Sequence, residues 1–343
     1  SLEELLRERD RGRAMEVMSR GATTIVRELF ADSRIDGIIA AGGSANTTIG
    51  AAAMRSLPIG FPKVLVSTLA SGDVSDWVGG RDITMMYSVV DIAGINRISA
   101  TILRNAANAI TAMASGKRKE EPGSRPLIAA SMFGVTTPCV TEARGVLERA
   151  GFEVVVFHAT GAGGKTMEGL IEEGYFAGVL DLTTTELADE LVGGILSAGP
   201  NRLTAASTLG IPQVVSVGAT DMVNFPGTTP SSFQDRLFYK HNPTVTLMRT
   251  TATECEKIGG EIAAKVAAAK GPAAIFLPLE GVSAIDKAGE TFDDPAAREA
   301  LFEAIRAGHG SSELIELPCH INDPECAQAA ARKLVELIHP ATP

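Results

Sequence analysis

The sequence predicts an α/β protein built of two Rossmann-like, doubly wound parallel-sheet subdomains. Three observations carry that expectation. From Ile35 onward, short apolar runs, glycine- or serine-rich turns and amphipathic stretches alternate as in parallel βα units. Hydrophobic residues make up 45% of the chain but aromatics only 5%, so the interior is mostly Ala, Val, Ile and Leu, as in helix-covered sheets. A length of 343 residues exceeds that at which one core usually keeps growing, so two domains are expected.

The elements follow in order. Leu2, Leu5, Leu6, Met15, Met18, Ile25, Val26 and Leu29 keep helical spacing up to Phe30, so the chain opens inside a helix and an upstream strand is expected to be missing. Strands are expected near 35–41, 63–68 and 84–90, with helices near 46–57 and 94–115. The polar break from Gly116 to Pro126 reads as a boundary between a first subdomain, 1–120, and a second, 121–343, with the C-terminal helix a candidate to pack across it. Further strands are expected near 127–131, 153–158, 178–182, 213–217, 245–250, 273–278 and 314–318. Helices near 139–150, 165–173, 185–196, 254–270, 295–307 and 324–338 separate them as crossovers. The stretch from Asp221 to His241 fits neither period and reads as a lid or an interface.

A net charge of −10 and a pI near 5.1 repel phosphate backbones and anionic lipid. Lys117-Arg118-Lys119 is followed at once by Glu120-Glu121, so neither a nucleic-acid nor a membrane partner is expected. Cys139, Cys255, Cys319 and Cys326 form no CxxC pair and read as reduced thiols. With no leader pattern and no long apolar run, the expectation is a cytoplasmic protein.

Ligands of open parallel sheets sit outside the carboxyl ends of strands, so the turns there are the candidate sites. The first holds Gly42, Gly43, Ser44, Asn46, Thr47 and Thr48, where glycines permit close backbone approach and amides and hydroxyls could hold phosphate. A tight turn with a helix cap needs the same residue types. Ser67, Thr68, Ser71, Gly72 and Asp73 form a second hydroxyl-rich turn. In the third, Asp91 suits a ribose hydroxyl or a metal, Asn96 an amide contact and Arg97 a phosphate, against a plain helix start. Thr160, Gly161, Gly163, Gly164, Lys165 and Thr166 satisfy a relaxed phosphate-loop pattern with Ala159 in place of its first glycine, and read better as a generic anion-binding turn. Asp181, Thr183 and Glu186 end the next strand, with helix capping as the plainer alternative. His158, His241 and His320 occupy loop-like positions open to acid–base work, but a lone histidine is more often structural. Metal-type histidine spacing and a GxSxG elbow are both absent.

Several segments together resemble the ATP-binding family typified by the amino-terminal inhibitory domain of the tomato mosaic virus resistance protein. They are Gly42–Ser44, Pro62–Asp73, Met85–Ser99, Phe157–Gly164, Gly178–Leu187, Tyr239–Pro243, Leu277–Ser283 and His320–Pro324, and they span almost the whole chain. The resemblance implies two Rossmann-like subdomains, ATP held with Mg2+ in a cleft between them, and a homodimer. Lys165 matches no motif of that family, so the GKT triplet is incidental. Family members begin with a further strand and a Thr-Leu-Asp-Thr-Lys-Gly type turn, and the plant protein carries a carboxy-terminal barrel, so a separate barrel-domain partner is a candidate. The leading expectation is a nucleotide-binding protein with no reaction assigned. Alternatives are an enzyme acting on a small carboxylate or acyl substrate, with Glu280, His158, His241 or His320 as acid or base, and a nucleotide-dependent partner-binding module.

Overall fold

The computed structural model describes residues 10–116, 124–227 and 231–339 and divides the chain into two compact units, Ser1–Pro122 and Gly123–Pro343. Each unit contains a parallel sheet flanked by helices, the expected α/β class.

Unit 1 runs α1 (Arg11–Ala31), β1 (Ile38–Gly42), α2 (Ser44–Arg55), β2 (Lys63–Ser67), α3 (Ser75–Val78), β3 (Thr84–Tyr87) and α4 (Arg97–Ser115). The Leu2–Leu6 part of the expected first helix lies outside the described residues. The three strands pair in parallel in the order β1-β2-β3. Central β2 is buried along its whole length because it is covered on both faces: Leu65 packs with Ala51 and Met54 of α2, Val64 and Val66 with Ala106 of α4. Lys63 opens that strand and is itself fully buried. Its ammonium donates to the Pro58 and Phe61 carbonyls at 2.7 and 3.1 Å and pairs with Asp82 at 2.6 Å, which satisfies all three donors. A Cβ on Gly50 would stand 2.8 Å from that of Ala40, so glycine lets α2 press onto β1.

In unit 2, β4 (Leu127–Met132), β5 (Glu153–His158), β6 (Phe176–Thr183), β7 (Gln213–Gly218), β11 (Ala273–Pro278) and β12 (Glu313–Leu317) form a parallel sheet in the order β12-β11-β7-β6-β4-β5. The crossover helices α5 (Thr137–Arg149), α6 (Ala162–Glu172), α7 (Glu186–Val192), α8 (Ala205–Leu209), α9 (Ala252–Ala267) and α10 (Pro295–Gly308) cover it. The last helix, α11 (Pro324–Ile338), packs against α5 and this sheet, burying Ala327, Ala330, Ala331 and Leu334 with Ile128, Leu180 and Phe276.

One expectation is corrected. The run at 245–250 does not join the crossover series: β10 (Val245–Arg249) pairs antiparallel with β8 (Met222–Pro226) and β9 (Phe238–Lys240) in a separate three-stranded sheet. The Asp221–His241 stretch thus supplies two strands, while 228–230 lie outside the described residues. Leu247 and Met248 are buried, so the run reads like any core strand, and an apolar run carries no information about strand direction. Among the described residues no helix is long and apolar enough to cross a membrane.

Candidate functional site

In unit 1 the strand register sets Gly42 beside Ser67 and Ser67 beside Tyr87, so the three candidate turns leave one carboxyl edge. Gly43 caps α2 without a side chain, and among the described residues the amides of Ser44, Ala45 and Asn46 donate to nothing. A twelve-residue helix therefore presents open donors and its positive dipole end here. Gly42 is needed because its Cβ would lie 2.5 Å from the Asn46 side chain, which folds back to donate to the Ala41 carbonyl at 3.4 Å. Thr47 is fully buried; its hydroxyl donates to the Gly43 carbonyl at 2.8 Å and accepts from Ser67 Oγ at 2.7 Å, tying the first turn to the second.

Two hollows open on this edge. One, of about 260 Å³, is lined by Arg11, Met15, Ser44, Ala45 and Thr48. The other, of about 310 Å³, is lined by Thr68, Tyr87, Ser88, Val89, Val90 and Asp91. Val89 in its wall holds φ at +62°, a strained conformation for a β-branched residue and of the kind that clusters at ligand sites. A larger hollow of about 440 Å³ beside Phe61 and Pro62 lies at the opposite, amino end of the strands.

The remaining candidates of unit 1 divide. Asp91 and Arg97 are exposed, as are Ser71 and Gly72. Asp73 accepts the Ser75 amide at 2.9 Å, and that bond holds its carboxyl below the usual range. Asn96 is the N-cap of α4: its Oδ1 accepts from the Ile98 and Ser99 amides at 2.9 and 3.0 Å, the plainer role weighed for it.

Unit 2 treats its glycine turn differently. Glu186, at the start of α7 and fully buried, places Oε1 2.6 Å from the Gly161 amide and 3.1 Å from that of Gly164. The anion expected at this turn is the protein's own carboxylate. Its other oxygen accepts Arg202 Nε at 2.6 Å. Arg202, also buried, binds Asp181 through both Nη atoms and reaches Glu168 at 3.2 Å and the Thr183 carbonyl at 3.4 Å. Burial pushes the Glu186 carboxyl up against the pull of Arg202. Burial alone would lower the guanidinium, but its carboxylates hold it well above its ordinary value.

Gly161, Gly164, Asp181 and Thr183 are therefore brought together, but around Arg202 and its partner Glu186, whereas Thr160 and Gly163 stand against the His158 carbonyl. Gly163 and Gly164 leave no room for side chains: their Cβ atoms would meet the His158 carbonyl at 1.9 Å and Glu186 Oε2 at 2.2 Å. Thr160 donates to the His158 carbonyl at 3.2 Å, and Thr183 bonds Thr136 at 2.8 Å. Lys165 is exposed. Sequence reasoning missed Arg202 and Glu168; the available signal was Asp181 inside an apolar strand, a carboxylate that needs a buried cation.

The acid–base candidates are dispersed. His320 Nδ1 accepts the Asn322 amide at 3.1 Å, which leaves the ring proton on Nε2 to donate to the Ser283 carbonyl at 2.7 Å. Both nitrogens are thus engaged. His241 is exposed beyond β9, and His158 stands edge-on to Phe133 at 5.4 Å. Nearby, Asp221 accepts from Ser283 Oγ at 2.8 Å, while its other oxygen is buried without a partner among the described residues. Burial, then the neighbouring Asp286, push the Asp221 carboxyl up to about 7, against the pull of Arg249. All four cysteines are buried and free, and burial raises the Cys139 thiol to about 12, consistent with inert thiols.

The comparisons with known proteins agree over almost the whole chain. A UPF0261 protein of Clostridium tetani is 54% identical over 98% of this chain and 85% of its own length. One of Rhizobium meliloti is 49% identical over 96% of this chain and 83% of its own. The ToMV resistance protein Tm-1(GCR237) of Solanum lycopersicum is 42% identical over 95% of this chain, which matches 45% of that longer protein. The N-terminal and C-terminal domain models of one family match residues 1–119 and 125–338. The chain belongs to the uncharacterised protein family UPF0261.

Proposed function

We propose that the carboxyl edge of the unit 1 sheet binds a nucleotide, ATP with Mg2+, by its phosphates. The observation that carries this reading is the uncapped start of α2: the Ser44, Ala45 and Asn46 amides are open beside a glycine turn and between two hollows. Such an end is a ready anion site. Arg11 lines one hollow and supplies a cation. Thr68 and Asp91 line the other, where a carboxylate and hydroxyls suit a ribose or the water shell of magnesium. The resemblance to an ATP-binding family points to the same ligand.

The test is the thermal midpoint of the full chain with Mg-ATP. At a hundred-fold excess over Kd, binding adds about 2.7 kcal/mol to stability. A Cβ on Gly43 would come no closer than 3.8 Å to Thr68 Oγ1, so the position has room for a Cβ, and Gly43→Leu is the variant designed to crowd the neighbouring amides. The shift is expected in the parent protein and absent in G43L. No shift in the parent, or an equal shift in both, overturns the reading.

A further inference from the structure

We infer that unit 2 has a binding site of its own, for a small zwitterion of the α-amino-acid type, in the cavity at the carboxyl ends of β11 and β12. The cavity measures about 540 Å³, the scale of a small-metabolite pocket, and lies at the sheet edge where parallel α/β folds place ligands. Its walls come from Leu279 and Glu280, from His320 and Asp323, and from Lys287, Ala288 and Arg298, none of which the nucleotide reading uses.

Those walls are rigid. The Glu280 amide donates to the Cys319 carbonyl at 3.1 Å, and the Ile321 amide to that of Gly281 at 2.9 Å. The His320 ring locks onto Ser283, which makes it a positioning residue and not a base. Gly281 sits so close that its Cβ would meet the Asp286 carbonyl at 1.9 Å and the His320 ring at 2.7 Å.

The lining chemistry selects the ligand. Arg298 is fixed from behind: Nη1 donates to the fully buried Asp286 at 2.8 Å, and both Nη atoms lie 3.3 Å from Asp293 Oδ1. That leaves the Nε–H and the parallel Nη2–H without an acceptor among the described residues, the edge that grips a carboxylate bidentately. Lys287 lines the same cavity, is exposed, and forms no ion pair among those residues. A plain dianion is disfavoured by the carboxylates of Glu280 and Asp323 in the same lining. Asp323 is partly occupied by the His320 amide, at 2.9 Å, whereas Glu280 accepts nothing among the described residues. Free cationic donors and a free carboxylate in one small cavity match a ligand carrying both charges.

The experiment is ligand-observed NMR of the full chain with each proteinogenic α-amino acid at millimolar concentration, followed by calorimetric titration of any binder beside its deaminated carboxylate. At least one amino acid is expected to bind about ten-fold tighter than its deaminated partner. Lys287→Ala should weaken it by about five-fold, and Glu280→Gln should erase the preference for the ammonium without moving the thermal midpoint. Binding should persist in G43L, which separates this site from the one on unit 1. No binder in the panel, a binder unaffected by K287A, or a preference that survives E280Q overturns the inference.

Discussion

Two glycine-rich strand-to-helix turns, one in each unit, solve the same local problem in opposite ways. At Gly42-Gly43-Ser44 the helix starts open: no side chain caps it, and the hydroxyls of Thr47, Ser67 and Thr68 stand beside it with Arg11 in the adjoining hollow. At Gly161–Gly164 the Gly161 and Gly164 amides are taken by Glu186, which Arg202 holds in place with Asp181 and Glu168. Both turns have the glycines that an anion needs. What separates them is whether the chain supplies that anion itself. A tethered carboxylate loses no translational freedom on binding, so it outcompetes a free ligand for the same amides. Glycine content alone therefore marks a turn that can hold an anion, not one that holds a ligand.

The closed turn depends on one guanidinium. Replacing Arg202 with alanine leaves three carboxylates, Asp181, Glu186 and Glu168, without their shared cation, two of them fully buried. Breaking a buried pair from one side costs about 3–5 kcal/mol, and here three are broken together. R202A is expected to lower the urea midpoint more than any other substitution considered for this chain. A loss under about 1 kcal/mol would mean that the carboxylates are neutralised by protonation, and the turn would then count as weakly closed.

The fold was largely legible because its strands are continuous apolar runs between glycine, proline and polar turns. The expected spans 63–68 and 273–278 lie within a residue of β2 and β11. The antiparallel sheet was not legible, because β8 and β9 are short and direction is set by pairing. The open turn could be read locally: Gly43 and the start of α2 are adjacent. The closed turn could not, since Glu186 lies 25 residues beyond Gly161, and Arg202 a further 16. The same separation hid the engagement of His320 by Ser283, 37 residues earlier.

A second contrast between the units is titration. Asp221, buried in unit 2 with an orphan oxygen, has its carboxyl raised from 3.8 to about 7. Between those values the folded protein keeps a proton that the unfolded chain releases, so this group's contribution is full below the lower value and is lost as pH rises through the upper one. Asp221→Asn keeps an acceptor for Ser283 and cannot ionise. Its unfolding free energy in urea is expected to fall less steeply from pH 5 to pH 7, by up to about 1.4 kcal/mol per pH unit, and to match or exceed the parent at pH 8. Parallel profiles would show that Asp221 stays ionised, with an unseen donor at its second oxygen.

The smallest effect sharpens the open turn. Asn96 was weighed as a ligand contact against a plain helix cap; its Oδ1 accepts from the Ile98 and Ser99 amides, and its backbone N–H donates to Ser99 Oγ at 2.9 Å. Asn96→Ala removes a cap and should cost about 1 kcal/mol of stability. It also leaves a second helix start uncapped on the same edge as α2. If Asn96 only caps, the Mg-ATP shift of N96A matches that of the parent once the lower starting midpoint is subtracted. If the shift disappears while stability holds, Asn96 turns outward to the ligand, and the edge is a three-turn site, not one built on the α2 amides alone.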